Sequence, residues 1–194
     1  MSEKSYHHGN LRNSLIEAGI ELINSEGVKN LSLRKVASMC GVSQAAPYTH
    51  FRSKEDLLEA MRGYAIDKFM LILQDTVKTS SNPNDQQLLI SIGKSYVLFF
   101  MEHPHYLSFI FSQQCMDVNL DLHGDKNNNF PPYEFLKMHA IRILGNHGMS
   151  EEKMEDTIIA MWSTVHGLAC IVTMNNVHYN KNWIEKIEDI IWNK

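Results

Sequence analysis

The stretch Ser43-Gln44-Ala45-Ala46-Pro47-Tyr48-Thr49-His50 gathers side chains suited to reading a duplex rather than breaking a bond. A glutamine amide can pair with N6 and N7 of adenine, and the Ala45 and Ala46 methyls can touch a thymine methyl. Small residues also let a helix sink deep into a groove. Tyr48 can reach a base edge or a phosphate, and Thr49 and His50 suit phosphate contact. Lys54 opens a further helical stretch, where its charge and the helix N-terminus would act on one phosphate. Ser32 and Arg34 hold the equivalent place upstream, and Ser43 is set to cap the helix carrying Gln44. Each has a plainer reading. Gln44, Thr49 and Ser32 would be solvated polar groups, Arg34 and Lys54 partners of Glu55 or Glu59, and Tyr48 part of a core.

Other chemistry finds little support. The chain has ten histidines, but no HExxH and no Cys/His cluster, so no metal site is expected. His103-Pro104-His105 reads as a helix break. Lys4, His7 and His8 form either an arm near the DNA backbone or a tail. GxSxG, P-loop and paired-carboxylate patterns are absent, so neither catalytic residues nor a cofactor are expected. Cys40, Cys115 and Cys170 are odd in number and widely spaced, as in a reduced, cytoplasmic protein. At 44% hydrophobic and 21% charged residues the composition is that of a globular chain. The longest apolar run, 96–101, falls far short of the roughly 20 residues of a membrane span, and the N-terminus lacks a signal-peptide stretch. The net charge of −4 is uneven. Residues 1–62 carry eight basic against seven acidic groups, and residues 63–194 ten against fifteen. This asymmetry permits nucleic-acid binding without demonstrating it.

The positioning elements follow from periodicity. Leu11, Leu15, Ala18 and Leu22 repeat at helical spacing, with Asn10 as cap and Gly27 as a left-handed stop. Ser32 caps a second short helix, Leu33 to Cys40, which Gly41 ends with a positive φ. A third helix is expected over Gln44 to Phe51. Ser53-Lys54-Glu55-Asp56 resembles a capping box that opens a long fourth helix. Val36, Val42 and Pro47 face inward, and Ala37 allows a close crossing. Two short helices joined by a tight glycine turn make a helix-turn-helix.

At this point the chain resembles a known family. "GVKNLSLRKVA", "CGVS" and "YTHFRSKEDLL", within residues 6–62, are similar to the DNA-binding domain of TetR-type regulators, and 162–168 looks like the signature of a Trp-His-Gly subgroup. The resemblance implies an all-α fold with a three-helix helix-turn-helix domain at 6–62. A helical effector-binding and dimerisation domain would follow at 63–194. It also implies that Ser32, Arg34, Ser43, Gln44, Ala45, Ala46, Tyr48, Thr49, His50 and Lys54 are the usual contacts. Pro47 departs from the pattern, which often carries Leu there.

Beyond residue 79 the chain reads as helices over 86–102, 105–115, 133–146 and 151–175 and a last one from 180 or 181, with a mobile loop at 117–132. The 151–175 helix is apolar nearly all round, which requires cover on both sides. The resemblance makes that cover a second copy of the chain, through Val165, Leu168, Ala169, Val172, Trp183, Ile187 and Ile191. Phe99, Phe109, Met138, His139, Met161, Trp162 and His166 are the main candidates to line a pocket for a small, largely apolar effector, with Phe100, Phe111 and Met116 beside them; any one of them is also ordinary core. The expectation is a homodimeric, ligand-responsive repressor on a palindromic operator. An enzyme, or a TetR-like protein that docks on a protein partner, are the alternatives.

Overall fold

The computed structural model describes residues 11–83, 85–112, 117–124 and 129–192. The Lys4/His7/His8 arm, the Asn10 cap, Cys115 and Met116 lie outside these. Among the described residues the chain is all-α, with eight α-helices, two short 3-10 turns and no strand. It divides into two compact units, Met1–Ala65 and Ile66–Lys194.

In the first unit, α1 (Leu11–Glu26) buries Leu15, Ile16, Ile20, Leu22 and Ile23 along one face. A 3-10 turn (Val28–Asn30) leads to α2 (Leu33–Met39), whose cap Ser32 accepts from the Lys35 N–H at 3.2 Å. Gly41 ends α2 at φ 67°. The Val42 N–H returns to Ala37 O at 3.0 Å and the Gly41 N–H to Ser38 O at 3.1 Å, the paired bonds of a Schellman stop. Val36, Ala37 and Pro47 are buried, whereas Val42 is only half-buried.

The expected third α-helix is instead a 3-10 turn, Ala46–Thr49, entered through a turn at 44–45. Pro47 supplies the reason. It has no N–H to return to the carbonyl four residues back, and its ring would crowd that carbonyl. The segment therefore closes with i→i−3 bonds: Ala46 N–H to Ser43 O, Tyr48 N–H to Ala45 O and His50 N–H to Pro47 O, all within 3.0–3.1 Å. Ser43 contributes its carbonyl here rather than a side-chain cap.

Helix α3 (Lys54–Thr79) begins where the Ser53 hydroxyl accepts from the Asp56 N–H at 3.2 Å. The Asp56 carboxylate reaches back to the Arg52 N–H at 2.9 Å. Leu57, Met61 and Ala65, four residues apart, form a fully buried stripe that closes the first unit. The stripe continues as Phe69 and Leu73 in the second unit.

The second unit is organised around α4 (Gln86–Glu102), which packs on α5 (Pro104–Ser112), α6 (Pro131–Asn146), α7 (Glu151–Thr173) and α8 (Trp183–Trp192). Phe69, Tyr96, Phe99 and Phe100 interlock with ring centroids 4.8–5.2 Å apart. Each such ring, fully buried, contributes about 1.5–3 kcal/mol. The described part of the 117–132 loop is tied down rather than loose. Lys137, 1% exposed, pairs with Glu134 and donates to Asp121 O at 3.2 Å. The Leu122 N–H donates to Glu155 at 2.7 Å, and the Asn119 N–H to the Asn129 side chain at 2.8 Å. Pro131 and Pro132 form the first turn of α6, where a missing N–H costs least.

Candidate nucleic-acid interface and internal cavity

The 3-10 turn is anchored by Pro47 and Phe51, which are buried, and it leaves Ser43, Gln44, Ala45, Tyr48, Thr49 and His50 exposed. Tyr48 is 54% exposed, a large apolar ring held out of the core. Ala46 is half-buried. The Thr49 hydroxyl donates to Ala46 O at 2.7 Å and so offers an incoming group only lone pairs. Arg34 is exposed on the first turn of α2, and Ser32 is half-buried with its oxygen already accepting from Lys35. The Lys54 ammonium is turned onto the main chain, 2.7 Å from Val28 O. It stitches the α1–α2 connection and must swing away to meet a phosphate; the Glu55 and Glu59 pairings are not formed. Arg52 was missed by the sequence reading. It is exposed and shares a shallow depression with Tyr48, Thr49 and His50. The signal was a cation placed directly after the turn. Glu55 sits at the start of α3, where main-chain and Ser53 hydrogen bonds hold its carboxyl below the ordinary range.

In the second unit a cavity of about 500 Å³ opens between α4, α6, α7 and α8. Leu89, Ile90, Leu136, Leu144, Met149 and Met161 supply most of its aliphatic lining, with Gln86, Thr157 and Thr164 as polar groups. Of the residues expected to line a pocket, Met161 lines this cavity. Phe99 and Phe109 are buried in the aromatic core, and Met138 is 56% exposed on the outer face of α6. His139 is buried against the Phe135 ring and 3.1 Å from Arg142, its pKa lowered by burial and then by that guanidinium. Trp162 and His166 meet ring to ring at 5.8 Å. His166 Nδ1 lies 3.1 Å from the Tyr96 hydroxyl and Nε2 3.7 Å from Cys170 Sγ, and burial lowers its pKa. These side chains point from α7 into the rings, away from the aliphatic gap. Periodicity names a helix face but not which of two internal spaces it meets.

The residues expected at a dimer face take different positions in the single chain. Val165, Leu168, Ala169 and Ile187 are buried within the subunit, and Ile191 lines the cavity. Their apolar character is spent on α4, where a Cβ at Gly93 would stand 3.0 Å from Val165 and 3.2 Å from Ile191. The exposed side of α7 carries Ala160, Ser163 and Ile171, with Met174 exposed just past its end and Ile184 exposed on α8; Val172 and Trp183 are half-buried. Helix α7 is long and apolar enough to span a membrane by length and composition alone, but such a single helix is weak evidence of a span.

Residues 15–61 match the family model described as bacterial regulatory proteins, tetR family. Over 169 residues the chain is 34% identical to the nucleoid occlusion factor SlmA of Serratia proteamaculans, covering 82% of this chain and 80% of that one. The chain belongs to the TetR family. Its N-terminal part is also 47% identical over 49 residues to the class A tetracycline repressor of Escherichia coli, a match spanning 25% of this chain and 23% of that protein. Among solved structures, the Bacillus subtilis regulator FadR in complex with stearoyl-CoA superposes with a TM-score of 0.68 at 16% identity, covering 92% and 95% of the two chains. That likeness shows the fold. The family model and the relatives named as regulators place the chain among helix-turn-helix, DNA-binding transcriptional regulators.

Proposed function

We propose that the protein is a ligand-responsive repressor that binds a palindromic operator as a homodimer. The observation that carries the reading is the turn at 43–50: buried Pro47 and Phe51 fix it, while Gln44, Ala45, Tyr48 and His50 stand exposed on it. Gln44 and Ala45 read base edges in the major groove. Tyr48, His50, Thr49, Arg34 and Arg52 hold the backbone, joined by Lys54 once it leaves Val28. Ser32, Ser43 and Ala46 shape the approach. Two copies meet through the exposed side of α7 and through α8, and the two-fold axis matches that of the operator. A small effector enters the second unit. Helix α3, continuous from Lys54 to Thr79, belongs to both units and carries the coupling, of about 1–3 kcal/mol. The Trp-His-Gly subgroup belongs to the same proposal, supported by the contact of Trp162 with His166.

A second reading is favoured by the relatives named nucleoid occlusion factors: a DNA-bound factor whose output is not transcription. The two part on whether an added ligand loosens the DNA complex. The direct test is fluorescence anisotropy on DNA from the gene's own upstream region, across a salt series, beside Gln44→Ala/Tyr48→Ala. Tight, salt-sensitive, site-specific binding that the double variant loses is the expected result. Weak binding that is equal on any DNA would count against an operator there.

A further inference from the structure

We infer that the cavity between α4, α6, α7 and α8 selects an apolar small molecule that carries an N–H or O–H donor and no negative charge. The inference rests on the cavity being the effector site proposed above. Its wall is mostly aliphatic, and within it the Thr157 hydroxyl offers an acceptor. The Thr157 hydroxyl donates its proton to Lys153 O at 2.7 Å, one turn back on α7. The Thr164 hydroxyl donates to Ala160 O at 2.8 Å. A hydroxyl whose proton is committed presents only lone pairs, so Thr157 can accept from a ligand but not donate to it. Gln86 brings one neutral amide at the exposed first turn of α4. No lysine, arginine or histidine is among the described lining residues.

The surroundings push the same way. The positive end of α4 would attract an anion, but the Asp85 carboxylate already takes the Gln87 N–H at 3.1 Å. Ile90 also borders a second depression carrying Glu185, Glu188 and Asp189; among the described residues Lys94 pairs with Glu188. A carboxylate or phosphate in the cavity would give up its water to face lone pairs and acidic neighbours. A phenol, amine or amide N–H would find its partner in Thr157. This chemistry also separates the site from one built for an anionic acyl ligand such as the stearoyl-CoA bound by the Bacillus regulator.

The full-length protein is titrated with 1-aminoanthracene, an uncharged fluorescent aromatic amine, and the bound probe is displaced by 2-naphthol, naphthalene or 2-naphthoate. 2-Naphthol is expected to displace at about tenfold lower concentration than either of the others. Thr157→Val, nearly the same shape, removes the advantage of 2-naphthol over naphthalene and leaves displacement by naphthalene unchanged. Met161→Trp fills the cavity and weakens probe binding at least about tenfold; Leu144→Phe repeats the test should that variant not fold. No probe binding, equal or better displacement by 2-naphthoate, or an unchanged preference in Thr157→Val overturns the inference. Probe binding that ignores the filling variants places the site elsewhere and overturns it as well. A confirmed preference for 2-naphthol with no effect on the operator complex upholds the polarity assignment and removes the effector reading instead.

Discussion

Residues 11–65 carry their candidate functional side chains on the outside of a small aliphatic core, whereas residues 66–192 carry theirs on the inside. In the first unit, Leu15, Ile16, Val36, Leu57 and Met61 hold the frame, and Gln44, Tyr48 and His50 project from it. Core and function are different residues. In the second unit the distinction blurs: Met161, Val165 and Ile191 are at once helix packing and cavity wall. Lys137 is at once a charge and a core residue. Substitutions in the first unit should therefore separate binding from stability, and those in the second should mix them.

The largest effect tests the second half of that statement. Lys137→Ala leaves Glu134 and the Asp121 carbonyl without the ammonium that joins them, and removing one partner of a buried ion pair costs about 3–5 kcal/mol. The three tryptophans, Trp162, Trp183 and Trp192, all lie in the second unit, so urea unfolding followed by their fluorescence reports on that unit. Lys137→Met/Glu134→Gln should recover most of the loss, since it removes both charges together. A single variant within 1 kcal/mol of the parent, the resolution set by the worth of one ordinary hydrogen bond, would mean that the loop is held by its backbone bonds alone.

Next in size is the complementary test. Gln44→Ala/Tyr48→Ala should weaken operator binding by about 100-fold, or roughly 3 kcal/mol, while the unfolding midpoint moves little because both side chains are exposed. A large drop in stability together with the binding loss would show that the turn is a folding element, and the contrast between the units would fail. Gly41→Ala should cost about 1–2 kcal/mol through backbone strain alone. Its φ is 67° and an added Cβ would meet nothing within 4 Å. Thermal unfolding measures this, and Gly63→Ala serves as control at a helical site with equal space.

The sequence was most readable where structure is local. The caps Ser32 and Ser53, the Gly41 stop and the stripe through α1 follow from neighbours a few residues apart. The recognition segment was misread as an α-helix although the cause, Pro47, was in plain view. A proline in the first turn of a helix costs little, but this segment is too short to continue beyond that turn. The cavity was not readable. Trp162 and Met161 are adjacent in sequence, yet one faces the rings and the other the aliphatic gap, and only the packing of α4, α6 and α8 decides which. Lys137 was missed for the same reason. It shares the inward face of α6 with Tyr133, Leu136 and Ala140, and a lysine there signals either solvent or a buried partner. Glu134, three residues back, was the clue.

The smallest effect concerns His166. Its ring lies 4.3 Å from Phe111 and touches Tyr96, Trp162 and Cys170, and burial lowers its pKa below the ordinary 6.5. Well above pH 6.5 the ring is neutral in both folded and unfolded chains and adds no pH dependence. Below that value the unfolded chain takes up the proton first, so stability falls as the pH drops from 6.5 toward the lowered folded value. The slope from one such histidine cannot exceed about 1.4 kcal/mol per pH unit. His139, lowered by burial and Arg142, acts with the same sign, so the parent should show both contributions. His166→Gln should flatten the fall without abolishing it, measured as urea midpoints by circular dichroism between about pH 7 and 5. Because the comparison is between slopes, any constant packing cost of the variant cancels. An unchanged slope would mean that His166 reaches water often enough to titrate normally, and the ring cluster of the second unit would then be looser than the aliphatic core of the first.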